Sequence, residues 1–156
     1  MRRFIDLTTA LRFDDKETRF ARRNKDVFAP LRDIYSEVNN NLQRHYAPSE
    51  CLTVDEQLAP WRGRCKCKFL QYHPSMPDKY GLKLFMICDS EIAYPLQVIP
   101  YLGKHGERKT NTWREIVKGL AAPYHRTGRN VTCDNFFTDL EKHLSINGLF
   151  GRDCYC

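Results

Sequence analysis

Nine consecutive residues, Tyr80–Cys88 (YGLKLFMIC), form the most strand-like run in this chain, and the segments around them must fit a strand. Asp89-Ser90-Glu91 makes a turn and Ala93–Leu102 returns, so the pair reads as an antiparallel hairpin. Pro95 and Pro100 push the return strand to an edge, because proline has no N–H to give to a ladder. A shorter apolar run at Leu52 and Val54 precedes the hairpin, and another strand, Asn130–Cys133, follows it. Between the hairpin and that last strand, Trp113, Ile116, Val117 and Leu120 make the buried stripe of a helix. Thr112 and Glu115 have the spacing of its capping box, and Pro123 stops it. A strand and an antiparallel hairpin need such a crossover helix to bring the next strand back parallel, so the order predicts a mixed sheet.

The first part of the chain reads differently. Pro30 opens a helix whose Leu31, Ile34, Tyr35, Val38, Leu42 and Tyr46 share one face, and Pro48 closes the segment. Ahead of it lie two short apolar clusters, Phe4–Ile5–Leu7 and Leu11–Phe13, then a run of charges from Asp14 to Arg19. Cys65–Tyr72 (CKCKFLQY) alternates at its start, with Lys66 and Lys68 opposed to Cys65, Cys67 and Phe69, and His73–Asp78 is a loop. Thr138, Leu140, Glu141, Leu144 and Gly148 mark a further helix, and the final GRDCYC shows no periodicity. The fold class is α/β (α+β): an N-terminal helical region followed by an incomplete RNase H-like mixed sheet with flanking helices.

In a sheet of that order the first and fourth strands lie side by side. Asp55, in CLTVDEQLAPWRGR, and Asp134 then come together, each at a strand end. Two carboxylates so placed repel one another unless a cation lies between them, which makes Asp55 and Asp134 the candidate metal ligands. Glu56 adjoins the first, and Arg62 and Arg64 follow across a Pro60/Gly63 turn. The formal charge is +6 and the sequence pI about 9.0, a balance that favours a polyanion such as nucleic acid. Arg19, Arg22, Arg23 and Lys25 form a basic patch that is either a solvated face or a phosphate-contacting surface. Arg62, Arg64, Lys66 and Lys68 make a second group of candidate DNA-binding cations. Seven cysteines, an odd number scattered through strands and loops, read as reduced thiols. The pairs Cys65/Cys67 and Cys154/Cys156 are spaced more tightly than structural zinc ligands, so zinc is not expected. No apolar run approaches the roughly 20 residues of a membrane span, and the N-terminus lacks the apolar core of a signal peptide.

LTVDEQLAPWRGRC (52–65), PSMPDKYGLK (74–83), PYLGK (100–104) and GRNVTCDNFFT (128–138) resemble, in order, the catalytic-core signatures of piggyBac-type transposases and the domesticated proteins derived from them. RFDDKETRFARRNKDVFAPLRDI (12–34) resembles the segment preceding that core. The resemblance implies a truncated DNA-transposition core, in a family where three aspartates hold two magnesium ions. Asp55 matches the first and Asp134 the second, as catalytic and metal residues, while the third lies downstream of the last residue here. The expectation is therefore weak or vestigial Mg2+ binding and no activity alone. Asp139, Glu141 and Asp153 are not expected to replace the third ligand. The implied division is 1–48 as a basic DNA-binding and dimerisation-like region, 49–148 as the first part of the core, and 149–156 as an unmatched tail. DNA is the implied partner, with a homodimer or pairing with a full-length relative, no membrane, and the nucleus as location. A non-catalytic DNA- or protein-binding module, domesticated or decayed, is the alternative.

Overall fold

The computed structural model of the chain describes residues 2–62, 67–103 and 112–133, with backbone only at 112–114. It divides into two compact units, Met1–Val38 and Asn39–Cys156.

The first unit is helical: α1 (Arg2–Ala10), α2 (Lys16–Lys25) and the opening turns of α3 (Ala29–Arg44). Asp15 caps α2: its carboxylate accepts from Glu17 N at 3.0 Å, a backbone donor that the first turn leaves without a partner, and from the Thr18 hydroxyl at 3.1 Å. Asp26 ends α2 and organises the start of α3. Its carboxylate accepts from Phe28 N at 2.9 Å and takes both Arg32 Nε and Nη2, at 2.7 and 2.9 Å. The Arg32 guanidinium then lies 5.1 Å from the centre of the buried Phe28 ring, which meets Tyr35 edge-on. Pro30 sits in the first turn of α3, as its missing N–H predicts.

The second unit is built on a mixed five-stranded sheet. Its strands are β1 (Cys51–Pro60), β2 (Gln71–Tyr72), β3 (Tyr80–Asp89), β4 (Pro95–Pro100) and β5 (Asn130–Cys133), ordered β2-β3-β1-β5 with β4 also on β3. β3 pairs antiparallel with β1 and with β4, and β1 pairs parallel with β5. The crossover between hairpin and β5 contains α4 (Thr112–Ala121), then a 3-10 turn at Ala122–Tyr124 that includes Pro123. Val117 and Leu120 of α4 are fully buried against Leu52, Val54, Phe85, Ile87, Leu96 and Val131, so the helix closes one face of the sheet by hydrophobic burial. Before β5, Gly128 takes a positive φ of 77°, open to glycine at little cost. Arg129 then donates to the carbonyls of Ser49 and Pro48, at 3.0 and 3.1 Å, and ties the entry of β5 to the entry of β1.

The hairpin, the crossover helix and the parallel return of β5 beside β1 follow the order read from the sequence. Two expectations need correction. Asp55 does not end its strand: β1 runs on through it for five residues to Pro60, because Leu58 is buried and the ladder with β3 continues to Pro60↔Gly81. The stretch before Tyr72 is also less strand-like than its alternation predicts. Among its described residues only Gln71–Tyr72 is strand, while Phe69 and Leu70 are buried in the turn that precedes it. The expected helix over 138–148 lies outside the described residues.

Candidate functional site

The β1 alternation decides which side chains are offered outward. Leu52, Val54, Glu56 and Leu58 share the face that packs on α4, opposite Asp89, Ile87, Phe85 and Lys83 of β3. Thr53, Asp55 and Gln57 therefore point to the other face, opposite Cys88, Met86 and Leu84. Asp55 is exposed there. Its Oδ1 accepts from Glu56 N at 2.7 Å, and no hydrogen bond engages Oδ2 among the described residues. Thr53 Oγ1 lies 2.7 Å from Ser90 Oγ and 3.3 Å from Thr132 Oγ1, and Thr132 donates to Leu52 O at 3.0 Å. A polar strip crossing β5, β1 and the hairpin turn thus borders Asp55. Cys88 registers the same charge: burial first, and then the Asp55 carboxylate, push its thiol above the usual range.

The parallel ladder runs Cys51↔Asn130, Leu52↔Val131, Thr53↔Thr132 and Val54↔Cys133. Asp55 is the next residue of β1 after the last described pair. Asp134, the next residue of the other chain segment, lies outside the described residues, as do Cys65, Cys154 and Cys156. Among the described residues no three His, Cys, Asp or Glu side chains cluster as a metal cage would.

Glu56 has a different task from its neighbour. Facing inward, its Oε2 meets Lys83 Nζ at 2.5 Å, and that buried ammonium also lies 5.1 Å from the centre of the Phe85 ring. A buried ammonium needs a counter-charge, and Glu56 supplies it. Of the two adjacent acids, then, one is sequestered and one is free.

Asp89 is the acid that sequence reasoning missed. It reads as a turn residue, yet its exposure is 0%. Its carboxylate accepts from Ser49 N at 2.6 Å, Tyr46 Oη at 3.0 Å and Glu91 N at 2.9 Å. The Ser49 amide is the strongest influence, and with the other donors it outweighs burial and holds the carboxyl at about 2. Tyr46 and Ser49 lie 43 and 40 residues before it in sequence, so no local pattern announces the cluster.

The cations divide as well. Arg19 Nε and Arg22 Nη2 both hold the Asp14 carboxylate, which is almost wholly buried. Burial raises the Asp14 carboxyl, and the hydrogen bonds and charges of the two arginines more than reverse it. Arg22 also donates to Ala29 O, Asp15 O and Thr18 Oγ1, at 3.3, 3.1 and 3.1 Å. These two arginines organise the helical unit. Arg23 and Lys25 have no ion pair or hydrogen-bonding side-chain partner among the described residues. Arg62 and Lys68 are exposed and equally unengaged there, whereas Arg64 and Lys66 lie outside the described residues. No helix among the described residues is long and apolar enough to cross a membrane.

A family model described as "Transposase IS4" matches residues 1–145. Among solved structures, a chain of the cryo-EM structure of the piggyBac transposase synaptic complex with hairpin DNA is similar, with a TM-score of 0.76 and 41% identity. The match covers 91% of this chain and 30% of that chain, so the present sequence spans under a third of that transposase.

Proposed function

The chain belongs to the piggyBac-type transposase family, and on that premise we propose that it carries part of a metal-dependent DNA-transposition site, with Asp55 and Asp134 as cation ligands. Membership implies a divalent cation, and Mg2+ is the ion we assign. Asp55 suits a hard cation, being an exposed carboxylate with one oxygen unengaged among the described residues. The observation that carries the reading is the parallel β1–β5 register, whose last described pair immediately precedes both aspartates in their chain segments. A bound cation supplies Lewis-acid polarisation of a phosphodiester and activates the attacking oxygen. The chain's own contribution is to hold Asp55 on a rigid central strand, locked by the Glu56–Lys83 pair on the opposite face.

The cations bind the substrate. The solved relative is in a complex with hairpin DNA, and DNA is the partner proposed here, held by Arg23, Lys25, Arg62 and Lys68, with Arg64 and Lys66 as further members. Residues 1–48 are assigned as the DNA-binding and dimerisation-like region, 49–148 as the first part of the core, and 149–156 as an unmatched tail. A homodimer, or pairing with a full-length relative, and a nuclear location complete the proposal. Asp55 and Asp134 are the two residues assigned to the cation here, and cation binding is the property that tests the assignment.

Mn2+ titration followed by water-proton relaxation tests the site. Weak binding to the wild-type chain should be lost in Asp55→Ala and Asp134→Ala, each with an unchanged melting curve. Undiminished Mn2+ binding in both variants would sink the assignment. A second reading, a DNA-binding module without metal chemistry, is favoured by the formal charge of +6 and the unengaged cations. It predicts salt-dependent DNA binding that Asp55→Ala and metal removal leave intact.

A further inference from the structure

At the far end of β1 from its entry, the sheet presents a pair of aromatic rings that nothing in the fold requires. Tyr72 of β2 and Tyr80 of β3 are directly paired across the strands, so both rings leave the same face. They are 65% and 44% exposed, and neither hydroxyl nor ring has a partner among the described residues. Pro60 of β1 pairs with Gly81 and Trp61 N donates to Tyr80 O at 3.3 Å, which sets Arg62 beside this end of the sheet. Trp61 meets Phe69 edge-on at 6.4 Å, and that contact brings Lys68 to the same end. Lys79 immediately precedes Tyr80. Arg62, Lys68 and Lys79 are all exposed, against one exposed acid in the segment, Asp78.

We infer that Tyr72 and Tyr80 are a stacking platform for unpaired bases of a DNA strand, with Arg62, Lys68 and Lys79 contacting its phosphates. The inference rests on the DNA reading above and adds to it which form of DNA this surface selects. A duplex keeps its base faces covered, whereas an unpaired end or a flipped base exposes a π-face that stacks on an aromatic ring whatever its sequence. Exposed rings set among cations match that chemistry. A protein partner of opposite shape would not call for three cations around the rings. Asp55 lies five residues from Pro60 along β1, about 17 Å at strand rise, so one DNA strand can reach both the platform and the proposed cation site.

The test compares two DNAs, a blunt duplex and the same duplex with a short single-stranded extension, in fluorescence-anisotropy titrations of the full chain. The wild type should prefer the extended DNA by about ten-fold, the scale of one stacked base. The double variant Tyr72→Ala/Tyr80→Ala should lose that preference and bind the blunt duplex as before, and Tyr72→Phe/Tyr80→Phe should keep it. Both side chains are largely exposed, so melting temperatures should fall by no more than about 4 °C, the scale of one lost cross-strand pair. Equal salt-dependent affinity of the wild type for the two DNAs would overturn the platform while leaving the DNA reading standing. Absence of salt-dependent binding to either DNA would overturn both. Concentration-dependent self-association that disappears in the alanine variant would assign the rings to a second copy of the chain and reject the proposal.

Discussion

Asp89 shows how a single buried acid can set an acid limit on the fold. Its carboxyl is depressed to about 2 from an ordinary 3.8, chiefly by the Ser49 amide. The sign follows from linkage: a group depressed in the folded state contributes stability that is complete above its unfolded value and is lost as pH falls through its folded one. Stability should therefore decline between about pH 4 and pH 2 in urea titrations. Asp89→Asn should flatten that limb and lower stability at neutral pH, because the amide places an NH2 or a weaker acceptor where donors converge. Asp14 and Asp26 are depressed too, so the limb should shrink without vanishing. None of this was legible in Asp89-Ser90-Glu91 alone. The residues that bury the carboxylate come from the end of α3 and the entry of β1, and single-sequence patterns do not see across 40 residues. The same blindness affects Arg19 and Arg22. They look like free cations until Asp14 is placed between them. Arg22→Ala should lower the helical far-ultraviolet signal and the melting temperature, whereas Arg23→Ala and Lys25→Ala should leave both unchanged.

Elements were legible where an apolar run or punctuation was strong. β3 is a nearly continuous apolar run, Asp89-Ser90-Glu91 marks its turn into β4, Pro30 marks the start of α3, and the apolar stripe of α4 gives the crossover. The extent of β1 was not, because Asp55, Glu56 and Gln57 interrupt its apolar pattern. Glu56 occupies the inward face beside Lys83 of β3, a diagonal neighbour across the ladder that neutralises it and that the sequence does not announce. Gly81 carries a related constraint. A Cβ there would collide with the Ala59 carbonyl, so β1 and β3 can approach at that end only over a glycine. Gly81→Ala should cost about 1–3 kcal/mol in urea unfolding, the scale of forced overpacking, and should loosen the β2–β3 hairpin that carries Tyr72 and Tyr80. Leu120→Ala on α4 should cost about 2–5 kcal/mol, since the side chain is fully buried against the sheet. An unchanged denaturation midpoint in either variant would contradict the packing described.

At the scale of the whole chain, the sequence conveyed the sheet order because crossover rules leave few ways to join a hairpin, a helix and a strand. It conveyed net charge equally well, but not which charges are available to a partner. Among the described residues the candidate cations divide into two that are consumed within the helical unit, Arg19 and Arg22, and four without a partner there: Arg23 and Lys25 in that unit, Arg62 and Lys68 in the sheet unit. This division has a measurable consequence in salt titrations. Each phosphate contact adds about 0.9 to the slope of log affinity against log salt, so alanine at a contacting cation should reduce the slope by about one. Substituting Arg23 with Lys25, or Arg62 with Lys68, should each lower it by about two if both members touch phosphate. Combining the pairs then distinguishes two modes of binding. Additive losses mean that one DNA molecule engages both units at once. Losses confined to one pair mean that the other unit leaves the DNA free, and its cations serve solubility or a different partner. A slope that none of the four substitutions changes would show that none of these cations touches a DNA phosphate.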